Sequence, residues 1–225
     1  MRTLGLVGGV TWRSSAEYYR RINEGVAAAL GPYHSSELLM RSVDYDIVRR
    51  GRDENDWRPL RRLVVEGCQQ LKAAGAEGIV LCSNSLHGVA QVVESELGLP
   101  LLHIAEALAA AARAAEHTKL AFFGTRFTMA APFYRERLAE HGITMLVPDL
   151  DSVDHVIMNE LARGIVTDTS RQLFMEALKP LLDAGATAMV LGCTEIGMLI
   201  QSAPVPIFDT LALHADAAVE WQLGL

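Results

Sequence analysis

The sequence has 225 residues, 50 % of them hydrophobic, which suits one large α/β domain or two small ones. A net charge of −7, with no basic cluster longer than Arg49–Arg52, disfavours a nucleic-acid partner, and no apolar run of about 18 residues predicts a membrane span. Three cysteines without metal-type spacing indicate a reducing compartment, so we expect a cytoplasmic protein without a disulfide framework.

Short strand-like runs alternate with longer helical patterns along the chain, which is typical of parallel sheets with crossover helices. In the first half we predict four strands, at 3–8, 37–43, 78–82 and 100–104. We also predict four helices: one that begins at about Ser14, one over 57–74, a short one after Leu86 and one that begins at Ala105. In the second half we predict strands at 120–124, 143–148, 188–192 and 206–209, again separated by helices. The order of elements is therefore the same in both halves.

Three pairs of segments also align between the halves in the same order. They are 3–22 with 119–138, 75–85 with 185–195, and 99–108 with 205–214. Such a repeat predicts two related α/β domains, each a roughly four-stranded parallel sheet flanked by helices. We place one at 1–98 plus 210–225 and the other at 99–209. Because ligands bind beyond the carboxyl ends of parallel strands, we expect the active site in a cleft between two domains related by a pseudo-twofold axis.

The alignment decides which residue corresponds to Cys193. Its counterpart is Ser83, the first residue of a turn, whereas Cys82 aligns with Gly192. Cys82 occupies the last strand position, where a free cysteine often packs as a small hydrophobic side chain. We predict that a helix follows each turn directly, so that its dipole lowers the pKa of the Cys193 thiol.

Four segments, "LGLVGGVTW", "LCSNSLH", "GTRFTM" and "LGCTEIG", carry a resemblance to the aspartate/glutamate racemase family of cofactor-independent amino-acid racemases. The chain is most similar to the bacterial broad-specificity or L-aspartate/glutamate-specific members, over essentially its whole length. The resemblance implies an amino-acid substrate, no cofactor and, since relatives are often dimers, a homodimer. The sequence agrees on cofactors, because it lacks the GxGxxG, GxxxxGK[ST] and HExxH motifs.

Family members place one thiol from each half on opposite faces of the substrate Cα, which implies that Cys193 and Ser83 are the catalytic pair. Ser83 stands where many relatives have the first cysteine. A serine hydroxyl needs a base or a water to move a proton. His87, four residues later, is either that base or a residue that packs or caps.

Without pyridoxal phosphate, the carboxylate of the substrate must be surrounded by hydrogen-bond donors. The side chains available at the two turns are Asn84, Ser85 and Thr194. Glu195 either orients the substrate ammonium or caps the first helical turn.

Four further residues are candidates for substrate binding. Arg52, in a segment predicted to be irregular after the second strand, either binds a side-chain carboxylate as a bidentate partner or balances neighbouring acidic residues. Val10 is expected to shape the pocket wall, although the glycines before it are also explained by backbone freedom. Thr125 and Arg126 align with Gly9 and Val10, so a ligand contact is predicted there as well.

Two alternative functions remain open from sequence alone. Arylmalonate decarboxylase and maleate isomerase have similar folds and need one decisive cysteine, which a lone Cys193 facing a serine would satisfy. The other alternative is a non-catalytic protein that binds an acidic amino acid. A thiol at a strand-to-helix turn favours an enzyme, because binding alone would not need it.

Overall fold

The computed structural model describes residues 1–54 and 56–225, and for Arg52 and Asp53 it describes the backbone alone. The chain divides into two compact units, Met1–His103 with His214–Leu225, and Ile104–Leu213. Both divisions fall a few residues downstream of the predicted boundaries. The first does so because the short strand Leu101–Leu102 pairs within the first sheet.

Each of the predicted strands is present in the described chain. They are β1 (Leu4–Gly8), β2 (Leu38–Ser42), β3 (Gly78–Leu81), β4 (Leu101–Leu102), β5 (Lys119–Phe123), β6 (Thr144–Leu146), β7 (Ala188–Leu191) and β8 (Ile207–Asp209). They form two four-stranded parallel sheets with the orders β2-β1-β3-β4 and β6-β5-β7-β8. The two sheets therefore have the same topology, as the repeat predicts.

Helices flank both sheets. The α-helices are α1 (Trp12–Leu30), α2 (Tyr45–Asp53), α3 (Arg58–Ala73), α4 (Ala90–Leu97), α5 (Ile104–Ala114), α6 (Arg126–Ala130), α7 (Pro132–Glu140), α8 (Leu150–Asn159), α9 (Asp168–Asp183), α10 (Ile196–Leu199) and α11 (Thr210–Leu223). Short 3-10 helices cover Ser85–Val89 and Leu161–Arg163. Within the described residues, no helix is both long enough and apolar enough to cross a membrane.

One expectation about the helices is wrong, and another is confirmed. The segment that contains Arg52, predicted to be irregular, belongs to α2, where Arg49 and Arg50 pair with Asp46 one turn away, at 2.8 and 3.0 Å. The charges of this segment hide the apolar periodicity that would reveal a helix. The predicted helix does follow each turn: a 3-10 helix that continues into α4 follows the turn after β3, and a four-residue α-helix follows the turn after β7.

The central strands are buried on both faces, which explains their continuous apolar runs. In the first unit, α3 covers β1 and β2 with residues that recur at helical spacing, namely Leu60, Val64, Cys68 and Leu71. In the second unit, aromatic rings fill the core: Phe123 stacks on Phe174 at 5.5 Å and Phe122 packs on Tyr134 at 4.6 Å between ring centroids.

The inner strand pair of each sheet positions the candidate residues. β1 pairs in parallel with β3, and β5 pairs in parallel with β7, so the carboxyl ends of each pair lie side by side. After β1 the chain crosses to β2 on one side of the inner pair, and after β3 it crosses to β4 on the other side. In the second sheet, the chain crosses from β5 to β6 and from β7 to β8 in the same way. Such a reversal of strand order separates the loops and leaves a crevice in which ligands bind.

The repeat places Gly192 where the first unit has Cys82, and packing explains the difference. A Cβ at Gly192 would overlap the ring of Phe122, which fills this space in the second unit. We therefore expect Gly192→Ala to lower the free energy of unfolding by about 1–3 kcal/mol through overpacking. Urea unfolding followed by circular dichroism measures this.

Gly197→Ala is the matched control, because no atom lies within 4 Å of a Cβ added there and the residue is helical. It should be neutral or stabilising by up to about 1 kcal/mol. Equal stability of the two variants would contradict the packing explanation.

Candidate active site

The turn after β3 carries Ser83 in the first unit. Cys82, at the end of the strand, is fully buried, its backbone N–H donates to the Val7 carbonyl at 2.9 Å, and burial raises the pKa of its thiol. Ser83 is 9 % exposed, and its Oγ lies 3.1 Å from Ser85 Oγ. The Ser83 hydroxyl is therefore more accessible than the neighbouring Cys82 thiol, and the half-buried Ser85 hydroxyl lies beside it.

His87 contacts the backbone of Ser83 rather than its hydroxyl. Its Nδ1 lies 3.0 Å from the Ser83 carbonyl oxygen, and the ring is 1 % exposed. Burial, together with two neighbouring histidines, keeps the pKa of His87 well below its ordinary value, so the ring is neutral. A carbonyl oxygen only accepts, so Nδ1 carries the hydrogen, and that nitrogen cannot act as a base for Ser83.

The turn after β7 carries Cys193 in the second unit. The Gly192 N–H donates to the Phe123 carbonyl at 2.6 Å, which ties the turn to the end of β5. Cys193 is half-buried, whereas Cys68 and Cys82 are buried. Its Sγ–H donates to Glu195 Oε2 at 3.1 Å, and the Thr194 hydroxyl donates to the same oxygen at 2.6 Å. A thiol and a hydroxyl thus converge on one carboxylate.

The pKa of the Cys193 thiol is raised well above its ordinary value. Burial is the main cause, the charge of Glu195 and its hydrogen bond add to it, and Asp154 contributes as well. The prediction that a helix dipole lowers this pKa is wrong, because α10 has only four residues and a carboxylate lies beside the sulfur. In the resting protein the group is a neutral thiol that donates a hydrogen bond.

Glu195 does not cap α10 in the described structure, since its side chain makes no capping hydrogen bond there. Of the two interpretations of this residue, the cap is therefore excluded. The observed role is that of an acceptor for the thiol and for Thr194.

Thr125 follows β5, the strand beside β7, and begins α6. It caps that helix, with its Oγ1 accepting from the Thr128 N–H at 3.4 Å. The next N–H, that of Arg126, donates to Asp154 Oδ1 at 2.8 Å. Asp154 was missed in the sequence, because it lies on α8 and no local motif connects it with the Cys193 turn.

Val10 follows β1, the strand beside β3, and is buried at 8 % exposure. Gly9 before it has φ of +101° and packs against the Val43 backbone so closely that a Cβ would overlap it, so this position requires glycine. The Arg52 side chain lies outside the described residues.

The structure thus forms one group of candidate residues in each unit. The first consists of Val10, Ser83, Asn84 and Ser85, and the second of Thr125, Cys193, Thr194 and Glu195. Each group lies at the carboxyl ends of the inner strand pair of its sheet. In the described part of the chain no three histidine, cysteine or carboxylate side chains are grouped to hold a metal ion.

An open cavity of about 620 Å³ lies beside the 3-10 helix that follows Ser83 and Asn84. Its lining residues are Glu54, Asp56, Trp57, Arg58, Arg61, Gly88 and Val89. Asp56 holds the Arg58 guanidinium at 2.8 and 2.9 Å. Because the wall carries charges of both signs, the cavity does not by itself select an anion.

Comparisons with known proteins agree with this architecture. Residues 7–218 match the family model for Asp/Glu/hydantoin racemases. The broad-specificity amino-acid racemase RacX of Bacillus subtilis (strain 168) is 20 % identical over 227 residues, covering 89 % of this chain and 98 % of its own.

Two solved structures are similar over nearly the whole chain. A candidate Asp/Glu racemase from Yersinia pestis superposes with a TM-score of 0.93 at 42 % identity, covering 99 % of this chain and 100 % of its own. An aspartate racemase homologue from Pyrococcus horikoshii OT3 has a TM-score of 0.85 at 26 % identity, with the same coverage of both chains.

The carboxylate beside Cys193 leads to a testable change in thiol reactivity. Glu195→Gln removes a negative charge that favours the neutral thiol, so the pKa of Cys193 should fall while burial keeps it above the ordinary value. Below the pKa, each unit of decrease raises the thiolate fraction about tenfold. Alkylation of Cys193 by iodoacetamide at pH 8 should therefore accelerate several-fold, measured by mass spectrometry across a pH series.

Asp154→Asn is the matched control, with a smaller shift in the same direction because Asp154 is the weakest of the named causes. Cys68 reports on unfolding, because burial raises the pKa of its thiol to about 12. An unchanged or slower rate in Glu195→Gln, without labelling of Cys68, would contradict the assignment.

Proposed function

Because this chain belongs to the Asp/Glu/hydantoin racemase family and is an amino-acid racemase, we propose that it interconverts the enantiomers of aspartate, glutamate or a related amino acid without a cofactor. The observation that carries this proposal is the position of Cys193. It is a half-buried thiol at the carboxyl end of a central strand, with its proton directed at a carboxylate. Once that carboxylate takes the sulfur proton, the thiolate can remove a proton from carbon and later return it.

In the proposed reaction Cys193 and Ser83 act on opposite faces of the substrate Cα. One group removes the Cα proton as a base, and the other delivers a proton to the resulting carbanion from the far side. Hydrogen-bond donors to the substrate carboxylate stabilise the carbanion, which has no cofactor to accept its electrons. We assign this role to Asn84, Ser85 and Thr194.

Glu195 has two functions in this scheme. It accepts the Cys193 proton, so that a thiolate can form when the substrate is bound. Its negative charge also favours the substrate ammonium nearby. The raised pKa of Cys193 suits this chemistry, because proton removal from carbon becomes more favourable as the basicity of the thiolate increases.

Ser83 limits the rate in both directions. A hydroxyl ionises far less readily than a thiol, and its near neighbour is a second hydroxyl, that of Ser85 at 3.1 Å. Since the equilibrium constant between enantiomers is one, slow transfer at Ser83 lowers kcat/KM equally for both. The chain should therefore be a slower racemase than a relative with two thiols.

A specific observation also favours a second candidate. Among the described residues, the accessible thiol belongs to the second unit, and Cys82 in the first is fully buried. A reaction of the arylmalonate decarboxylase or maleate isomerase type needs one reactive cysteine, and Cys193 alone would supply it. In that case the α proton of an amino acid would exchange without inversion.

The first experiment incubates the protein with each enantiomer of aspartate and glutamate in D₂O without added cofactor. Proton NMR follows loss of the Cα proton, and chiral chromatography follows inversion. We expect both with at least one of the amino acids, and neither with Cys193→Ala. Inversion in Cys193→Ala would refute the role of the thiol. No exchange with any of the four would refute the acidic amino-acid substrate, and exchange without inversion would favour the one-cysteine candidate.

Substitution of the hydroxyl tests the other half of the mechanism. Ser83→Cys should raise kcat/KM by about tenfold or more in both directions, because a thiol ionises far more readily than a hydroxyl. Ser85→Cys is the matched control and should not raise it, because that residue is not proposed to exchange the proton. Equal turnover of Ser83→Cys and the unsubstituted protein would show that Ser83 does not limit the reaction.

A further inference from the structure

Three buried histidines pack together beside the Ser83 turn. His87, His103 and His214 are exposed by 1, 5 and 1 % and come from the 3-10 helix, the residue after β4, and α11. The ring centroid of His87 lies 4.7 Å from that of His103 and 5.4 Å from that of His214. All three belong to the first unit, and the mechanism proposed above uses none of them.

The hydrogen bonds assign the tautomers of two of these rings. His214 Nε2 lies 2.8 Å from the Leu102 carbonyl, so Nε2 carries the hydrogen and Nδ1 accepts. The Tyr18 hydroxyl, 2.8 Å from that Nδ1, is therefore the donor. His87 interacts with the carbonyls of both Ser83 and Leu102, and the Leu102 carbonyl already accepts from His214. We therefore assign the His87 hydrogen to Nδ1, which faces the Ser83 carbonyl at 3.0 Å. Burial also keeps the His214 ring neutral, with a pKa of about 4.

Ser83 is thus held by its backbone from both sides. Its N–H donates to the Leu81 carbonyl at 2.8 Å, and its carbonyl accepts from His87 at 3.0 Å. The direction of a side chain follows from the orientation of its own peptide units and the rotamers that these allow. Rotation of either peptide would move the hydroxyl away from its observed place beside Ser85.

We propose that His87 is a positioning residue for Ser83, which fixes the hydroxyl for proton transfer by donating a hydrogen bond to the Ser83 carbonyl. The proposal rests on the racemase mechanism above. His103 and the Tyr18–His214 pair hold the His87 ring in place by packing against it. Buried polar groups are costly unless hydrogen-bonded, and a purely apolar cluster would fill this space without that cost.

The test compares His87→Leu, which removes the donor at similar volume, with His87→Gln, whose amide can still donate to a carbonyl. In D₂O, a displaced Ser83 blocks inversion but leaves Cys193 able to exchange the proton on its own face. A misplacement of about 1 Å can cost on the order of 100-fold, so we expect inversion by His87→Leu to fall by about 10–100-fold. Exchange with the enantiomer that Cys193 deprotonates should fall much less.

The ratio of exchange to inversion separates positioning from general stability. His87→Gln should restore most of the inversion, and His34→Gln, which replaces an exposed histidine of the same unit, should change neither rate. An equal loss of exchange and inversion in His87→Leu would overturn the proposal, and so would unchanged inversion. If His87→Leu does not fold, His87→Met provides an apolar side chain that adapts to irregular space.

An activity-independent measurement separates failure of this proposal from failure of the racemase mechanism. Imidazole ¹⁵N spectra should show the Nδ1–H tautomer for His87 and the Nε2–H tautomer for His214. The backbone amide signals of Ser83 and Asn84 should move in His87→Leu and return towards their original positions in His87→Gln. The opposite His87 tautomer, or unmoved signals in His87→Leu, would overturn the positioning role even if the protein racemises no amino acid tested.

Discussion

The parallel pairing of the two inner strands in each sheet determines where every candidate residue can act. β1, β3, β5 and β7 are buried on both faces, so their interiors can carry only apolar side chains. The first polar side chains therefore come after the last residue of each strand. Because paired parallel strands end at the same edge, the Ser83 turn lies beside Val10, and the Cys193 turn lies beside Thr125.

The carboxylate beside Cys193 changes how the thiol should be understood. A helix dipole would have produced more thiolate at neutral pH, but each thiolate would have been a weaker base. Glu195 and burial do the opposite, because they hold the sulfur as a neutral donor and make its conjugate base stronger. The difficult step for a racemase without a cofactor is removal of a proton from carbon, so strength of the base matters more than the resting fraction of thiolate.

The sequence was sufficient for the strands, for their parallel arrangement and for the correspondence of Ser83 with Cys193, because each depends on local patterns. Continuous apolar runs and turn residues reveal a buried strand directly. The alignment of the two halves even shows that Gly192 replaces Cys82. It does not show that the Phe122 ring requires glycine at that position.

Contacts through space were beyond sequence reasoning. Asp154 reaches the second group of candidate residues from α8, and His103 and His214 reach His87 from separate elements. No spacing along the chain connects these residues. The helix α2 was missed because its charged residues conceal the apolar periodicity on which a helix prediction depends.

The two copies of the repeat differ most in the group that can accept a proton from the reacting side chain. At equivalent positions two residues apart, Ser83 Oγ contacts Ser85 Oγ at 3.1 Å and Cys193 Sγ contacts Glu195 Oε2 at 3.1 Å. A carboxylate can accept the proton that a thiol releases, whereas a second hydroxyl cannot retain one at neutral pH. The two halves of the proposed mechanism therefore differ in the partner of the reacting group, Ser85 or Glu195, and not only in the replacement of a hydroxyl by a thiol. A local proton acceptor in one unit and a backbone-anchored hydroxyl in the other make Cys193 the stronger partner in either direction.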